Sequence, residues 1–73
     1  MVNYEYRDLV HELLKGQDLV REAHEKNESV NTIKLARTFK AINFYGSHRS
    51  NFTVEQRKGL DLLVQGISNI CSR

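Results

Sequence analysis

Residues 6–23 read YRDLVHELLKGQDLVREA, and one face of this stretch decides the kind of fold. Six apolar or small residues recur there at steps of three and four: Tyr6, Leu9, Leu13, Gly16, Val20 and Ala23. This spacing places them in one stripe along an α-helix. The pattern predicts a first helix over about residues 4–26, capped by Asn3. A glycine inside the stripe predicts either a closely approaching neighbouring helix or a bend.

A polar break at residues 26–29 separates this stretch from a second predicted helix, over about residues 30–45. Asn27 or Ser29 is the expected N-cap, and Gly46 suits the left-handed position after the helix end. Projection of this helix predicts two opposed apolar clusters: Leu35, Phe39 and Ile42 on one side, and Val30, Ile33, Ala41 and Phe44 on the other. A three-helix core buries only one such cluster comfortably, so the second predicts contact with another molecule.

The third predicted helix runs over about residues 54–71. Thr53 and Gln56 have the spacing of a capping box, in which each side chain bonds the backbone N–H of the other. The expected stripe of this helix is Leu60, Leu63, Val64, Ile67, Ile70 and Cys71. Gly59 and Gly66, close to that stripe, predict a close helix contact or a backbone exposed to a ligand.

The 73-residue chain has no proline and a single cysteine. It predicts one all-α domain spanning residues 1–73, either a three-helix bundle or a helical hairpin plus a third helix. The first helix is expected to lie antiparallel to the second, with the third packed across both. Because a domain this small buries only about 60% of the surface of its unfolded chain, we expect it to assemble as a homo-oligomer.

Several kinds of chemistry are not indicated by the sequence. Asp8, His11 and Glu12 share a helical face but read as solvated surface, and Cys71 reads as a small buried or interface hydrophobe. No phosphate loop, nucleophile motif or metal-ligand spacing occurs. We therefore predict no enzyme activity, no cofactor and no metal. The single thiol and the lack of a signal peptide or long apolar run predict a cytoplasmic protein without membrane contact.

Charge is distributed unevenly along the chain. Residues 1–28 hold seven acidic and four basic residues, whereas residues 29–54 hold four basic residues and no acidic one. The candidate binding residues in and beside the basic stretch are Lys34, Arg37, Lys40, Phe44, Tyr45, His48 and Arg49. Two interpretations stay open. The basic stretch is an interface or a solvated face, neutralised by the acidic first helix, or it contacts an anion such as nucleic acid, with phosphate on the cations and bases stacked on the aromatic rings.

These patterns favour a small regulatory protein that acts by binding, as an adaptor or inhibitor of a protein partner. The alternative is an anion-binding module that contacts nucleic acid or a nucleotide through its basic and aromatic residues. The two differ in salt dependence, because phosphate contacts release counterions and weaken steeply with salt.

Overall fold

The computed structural model describes residues 4–71 and is helical. Helix α1 spans Tyr6–Glu25, α2 spans Ala36–Ser47 and α3 spans Val54–Cys71, with a 3-10 turn at Arg49–Asn51 between the last two. No strand occurs among the described residues, so the all-α prediction is confirmed. Asn3, the predicted first cap, lies outside the described range.

Helix α1 begins and ends with local hydrogen bonds that the sequence only partly revealed. At its start the Glu5 N–H donates to Asp8 Oδ2 at 3.0 Å. At its end Asn27 has a φ of 54°. The Asn27 N–H donates to the His24 carbonyl at 3.2 Å and the Glu28 N–H to the Ala23 carbonyl at 2.9 Å. This is a Schellman motif. Asn27 therefore terminates α1, and the prediction that it caps α2 was wrong.

Helix α2 begins at Ala36, six residues later than predicted. Asn31 explains the delay, because its side-chain Oδ1 accepts from the N–H groups of Ile33 at 3.0 Å and Lys34 at 3.3 Å. These bonds hold a separate turn before the helix. The predicted left-handed role of Gly46 is also wrong: Gly46 lies within α2, and no described glycine has a positive φ. The chain leaves α2 through the 3-10 turn instead.

Helix α3 begins where the sequence predicted, because its capping box forms. The Thr53 N–H donates to Gln56 Oε1, and the Gln56 N–H donates to Thr53 Oγ1, both at 3.1 Å. Together these bonds satisfy two backbone N–H groups at the start of the helix.

Helix α1 lies at the centre and makes the main contacts with both other helices. Thr38 of α2 packs at Gly16, whereas the ring of Phe44 packs against that of Tyr4, so α2 runs antiparallel to α1 as predicted. Gly59 of α3 lies at Tyr6 and Gly66 at Gln17, so α3 runs parallel to α1. The third helix packs mainly on α1 rather than across both.

The core is mainly apolar, and two of its residues, Thr38 and Tyr45, carry hydroxyl groups. Its buried residues are Leu9, Leu13, Val20, Leu35, Thr38, Ala41, Tyr45, Leu60 and Ile67. The predicted α1 stripe is confirmed at Leu9, Leu13, Gly16 and Val20. The two opposed clusters predicted for the second helix are not found. Val30 and Ile33 precede the helix, and the buried face of α2 is instead Thr38, Ala41 and Tyr45.

Candidate protein-binding surface

The seven candidate binding residues fall into two groups at opposite ends of α2. Lys34, Arg37 and Lys40 lie in and just before its first turns, and all three are exposed. The other four, Phe44, Tyr45, His48 and Arg49, lie at its end and in the 3-10 turn. The two groups have different surroundings in the structure.

Tyr45 belongs to the core, with 4% of its surface exposed. Its hydroxyl donates to Asp61 Oδ1 at 2.6 Å and also lies 3.2 Å from the Arg57 carbonyl oxygen. Burial raises the pKa of Tyr45, and the hydrogen bond to Asp61 raises it further. Its ring meets the edge of Phe52 at 5.8 Å. Tyr45 therefore fixes α2 to α3 and is not a platform on which a base could stack.

Arg49 is engaged with the same carboxylate. Its Nη2 lies 2.8 Å from Asp61 Oδ2, and its guanidinium carbon lies 5.6 Å from the centre of the Tyr45 ring. Both partners of this ion pair stay about half exposed, so the pair contributes little stability alone. Arg49 is thereby held by Asp61 and is not a free cation.

Phe44 and His48 contact each other at the end of α2. Their rings stack with centres 4.2 Å apart, and His48 Nδ1 lies 2.9 Å from the Phe44 carbonyl oxygen. Tyr4 meets the Phe44 ring edge-on at 5.1 Å. The aromatic part of the candidate site thus serves local packing.

The cations at the start of α2 have a different environment. Lys34, Arg37 and Lys40 form no ion pair within the described part of the chain. Two large apolar side chains lie among them in sequence: Ile33 is 84% exposed and Phe39 is 44% exposed. We call these five residues, which are exposed and close in sequence, the α2 basic surface; around the helix, Lys40 lies between Arg37 and Phe39, which are about 160° apart. Its combination of free cations and exposed apolar groups distinguishes it from the end of α2.

A groove follows the line where α1 meets α2 and the turn before it. One part, of about 200 Å³, is lined by Glu12, Lys15, Leu19, Lys34, Arg37 and Thr38. The adjoining part, of about 160 Å³, shares Leu19 and Lys34 and continues towards Glu22 and Lys26. We call the two parts the seam groove. Sequence reasoning missed Lys15 and Leu19 as site residues, since only the position of α2 beside α1 brings them to Arg37.

Charge along the seam groove is unequal at its two ends. Near Glu22 the charges balance, because Glu22 and Glu28 line this part together with Lys26 and Lys34, and Lys26 Nζ lies 2.7 Å from Glu22 Oε1. That hydrogen bond lowers the pKa of Glu22 and raises that of Lys26, and Lys34 lowers the pKa of Glu22 a little more. Near Arg37, three cations face the single carboxylate of Glu12. The groove is therefore positive at the α2 end.

The residues first weighed for catalysis or metal binding lie apart from this groove or on its rim. Asp8 bonds the backbone of Glu5, and His11 is exposed. Within residues 4–71, no three His, Cys, Asp or Glu residues are placed to hold a metal ion. Cys71 is exposed, so the first of its two predicted roles, a buried residue, is wrong, and the second, a residue at an interface, stays a prediction. Among the described helices none is long and apolar enough to cross a membrane.

Comparison with known proteins found no matching family model, no similar curated protein and no similar solved structure. Function has to be argued from the surface itself.

Proposed function

We propose that this chain is a small regulatory protein that binds an acidic protein partner through the α2 basic surface. The observation that carries the proposal is the exposure of Ile33 and Phe39 among cations that have no ion-pair partner within residues 4–71. Specific protein interfaces bury apolar side chains at their centre and place charges opposite complementary charges of the partner. As an adaptor the protein would recruit this partner, and as an inhibitor it would block it.

A nucleic acid or nucleotide is the second candidate, supported by the same cations. Binding of single-stranded nucleic acid generally combines cations with exposed aromatic rings. Here Tyr45 is buried, and Phe44 stacks on His48. Phe39 is the one exposed ring left in the α2 basic surface, and Ile33 beside the same cations is aliphatic and offers no stacking face, so a protein partner that covers both side chains is the better supported candidate.

The proposal includes self-association in the cytoplasm. Leu14 is 46% exposed on α1 and Leu62 is 69% exposed on α3, both outside the α2 basic surface. A second copy of the chain would cover these side chains and supplement the small core. This leaves the α2 basic surface for the regulated partner.

The test is affinity capture with the purified chain, with and without nuclease, at low and high salt. Its key variant is Ile33→Ser combined with Phe39→Ser. Val54→Ser is the matched control, because it removes an exposed apolar side chain outside both proposed interfaces. We expect one protein to be captured after nuclease treatment, lost with the double variant and retained with the control. Capture that depends on nucleic acid, or that is equal for all three proteins, would contradict the proposal.

A further inference from the structure

The seam groove has the composition of a recognition site for one particular kind of segment. Leu19, half-buried, forms an apolar floor that both parts of the groove share. Lys15, Lys34 and Arg37 line the larger part and form no ion pair within residues 4–71. We infer that the groove accepts an apolar side chain of the partner over Leu19 while neighbouring carboxylates of the same segment meet these cations. This inference rests on the proposed function and specifies how the partner is held.

The size of the groove favours a side chain over a small-molecule ligand. Its two parts measure about 160 and 200 Å³. Neither part alone reaches the volume of about 300–1,000 Å³ that is usual for small-molecule and cofactor sites, and both are open to solvent, whereas such sites enclose most of the ligand. A shallow groove of this size suits one or two side chains of a protein segment that lies across it.

Charge complementarity selects an acidic segment. Three cations face the carboxylate of Glu12 in the larger part, which leaves an excess of positive charge there. At the other end, Glu22 is paired with Lys26 and Glu28 adds a second carboxylate, so there is no excess of positive charge there. The carboxylates of the segment would therefore lie towards Arg37, and its apolar side chain towards Leu19.

Nucleic acid fits the groove less well. The apolar surface of Leu19 offers no ring on which a base could stack. Carboxylates on flexible side chains can reach the cations while an apolar neighbour covers Leu19.

The experiment uses the full chain labelled with ¹⁵N and follows its amide signals during titration. The probe is a short synthetic peptide in which glutamate pairs flank one leucine and one phenylalanine. The same peptide with lysine in place of each glutamate is one control, and a single-stranded thymidine oligonucleotide is another. We expect the acidic peptide, and neither control, to shift the signals of Lys15, Leu19, Lys34 and Arg37.

Variants then separate the groove from general charge. Arg37→Glu should weaken binding of the acidic peptide about tenfold, a 1.4 kcal/mol effect, whereas Arg21→Glu on the same protein should leave it unchanged. Leu19→Ser should also weaken it, and thermal unfolding shows whether that variant still folds. Since Arg37 is exposed, its variant keeps the test decisive even if Leu19→Ser unfolds.

Three results would overturn the inference. Shifts confined to Ile33, Phe39 and Lys40 would leave the proposed function standing and remove the groove from it. If the oligonucleotide binds the same residues more tightly than the acidic peptide does, the groove is a nucleic-acid site and not a site for an acidic segment. The absence of shifts with any probe would show that the groove does not recognise an acidic apolar segment, whatever affinity capture shows.

Discussion

Gly16 of α1 lies against Thr38 of α2 so closely that a Cβ atom at position 16 would come 2.9 Å from the Thr38 Cβ. Thr38 is buried, and its hydroxyl lies 3.5 Å from the Glu12 carbonyl oxygen. The pair brings the two helices together at the base of the seam groove. Glycine is needed at position 16 because any side chain there would push α2 away.

Gly16→Ala should therefore destabilise the protein, although alanine is the better helix former. Overpacking costs typically about 1–3 kcal/mol, against a propensity gain of about 1 kcal/mol. Gly46→Ala is the matched control, since a Cβ there would meet nothing within 4 Å. We expect chemical denaturation to show a loss for the first variant and a small gain for the second. Adding Thr38→Ala to Gly16→Ala should restore part of the loss; equal stability of all variants would refute the close contact.

Thr53→Ala should lower the free energy of unfolding by about 1 kcal/mol, the usual effect of losing a capping side chain. The Thr53 hydroxyl accepts from the Gln56 N–H, and alanine leaves that group without this acceptor. Thr53→Ser keeps the hydroxyl and should keep most of the stability. Urea denaturation of the three proteins checks this, and no difference between alanine and serine would show that the cap contributes nothing.

Tyr45→Phe should remove about 1 kcal/mol of stability at neutral pH, because the hydrogen bond to Asp61 is lost. It should also change the pH dependence. The pKa of Tyr45 is raised in the folded state by burial and by Asp61. The unfolded chain has the ordinary value of about 10. As pH rises above that value, the unfolded state loses the proton first, and stability falls.

The phenylalanine variant lacks this proton, so its stability should fall less steeply than that of the natural protein above about pH 10. Tyr6→Phe on α1 is the control, because it removes a tyrosine hydroxyl outside the buried core. Thermal unfolding across alkaline pH measures the difference. Parallel curves for Tyr45→Phe and the natural protein would show that the buried hydroxyl is not linked to folding.

Self-association predicts a species heavier than the 8.5 kDa monomer at micromolar concentration. Leu62→Ser should shift the equilibrium towards the monomer, because it removes a large apolar side chain of α3 that is 69% exposed in the single chain. Sedimentation equilibrium measures both. A stable folded monomer at every concentration would contradict the expectation that a second copy covers α1 and α3.

The features that the sequence predicted well are those that depend on nearby residues. The buried stripe around Leu13 follows from helical spacing, and the capping box of Thr53 depends on residues three apart. The close helix contact at Gly16 was one of two predicted outcomes, because glycine weakens a helix and suits a position where a neighbour approaches or the helix bends. The antiparallel direction of α2 was predicted from the short polar break at residues 26–29, although the connection in the structure is longer.

The features that were missed depend on distant or competing contacts. Asn31 holds a turn with its side chain, which apolar spacing does not reveal, so the start of α2 was placed too early. Tyr45 was assigned to the surface because its partner Asp61 lies sixteen residues away. The same carboxylate engages Arg49. Among the seven candidates, Lys34, Arg37 and Lys40 are exposed and form no ion pair within residues 4–71. They therefore remain the candidates for binding a partner.

The most direct test of the central proposal is partner binding by the charge-reversed variant Arg37→Glu combined with Lys40→Glu. Arg21→Glu combined with Lys58→Glu is the control, since it makes the same charge change at exposed positions outside the α2 basic surface. Binding of the captured partner is measured at two salt concentrations, beside circular dichroism and thermal unfolding of each protein.

We expect the first variant to lose the partner while its helical signal and unfolding midpoint stay unchanged, and the control to bind normally. Unchanged binding with unchanged stability would contradict a role for the α2 basic surface. A loss of stability that Glu12→Arg partly restores would also contradict it, because the cations would then serve the fold by pairing with α1.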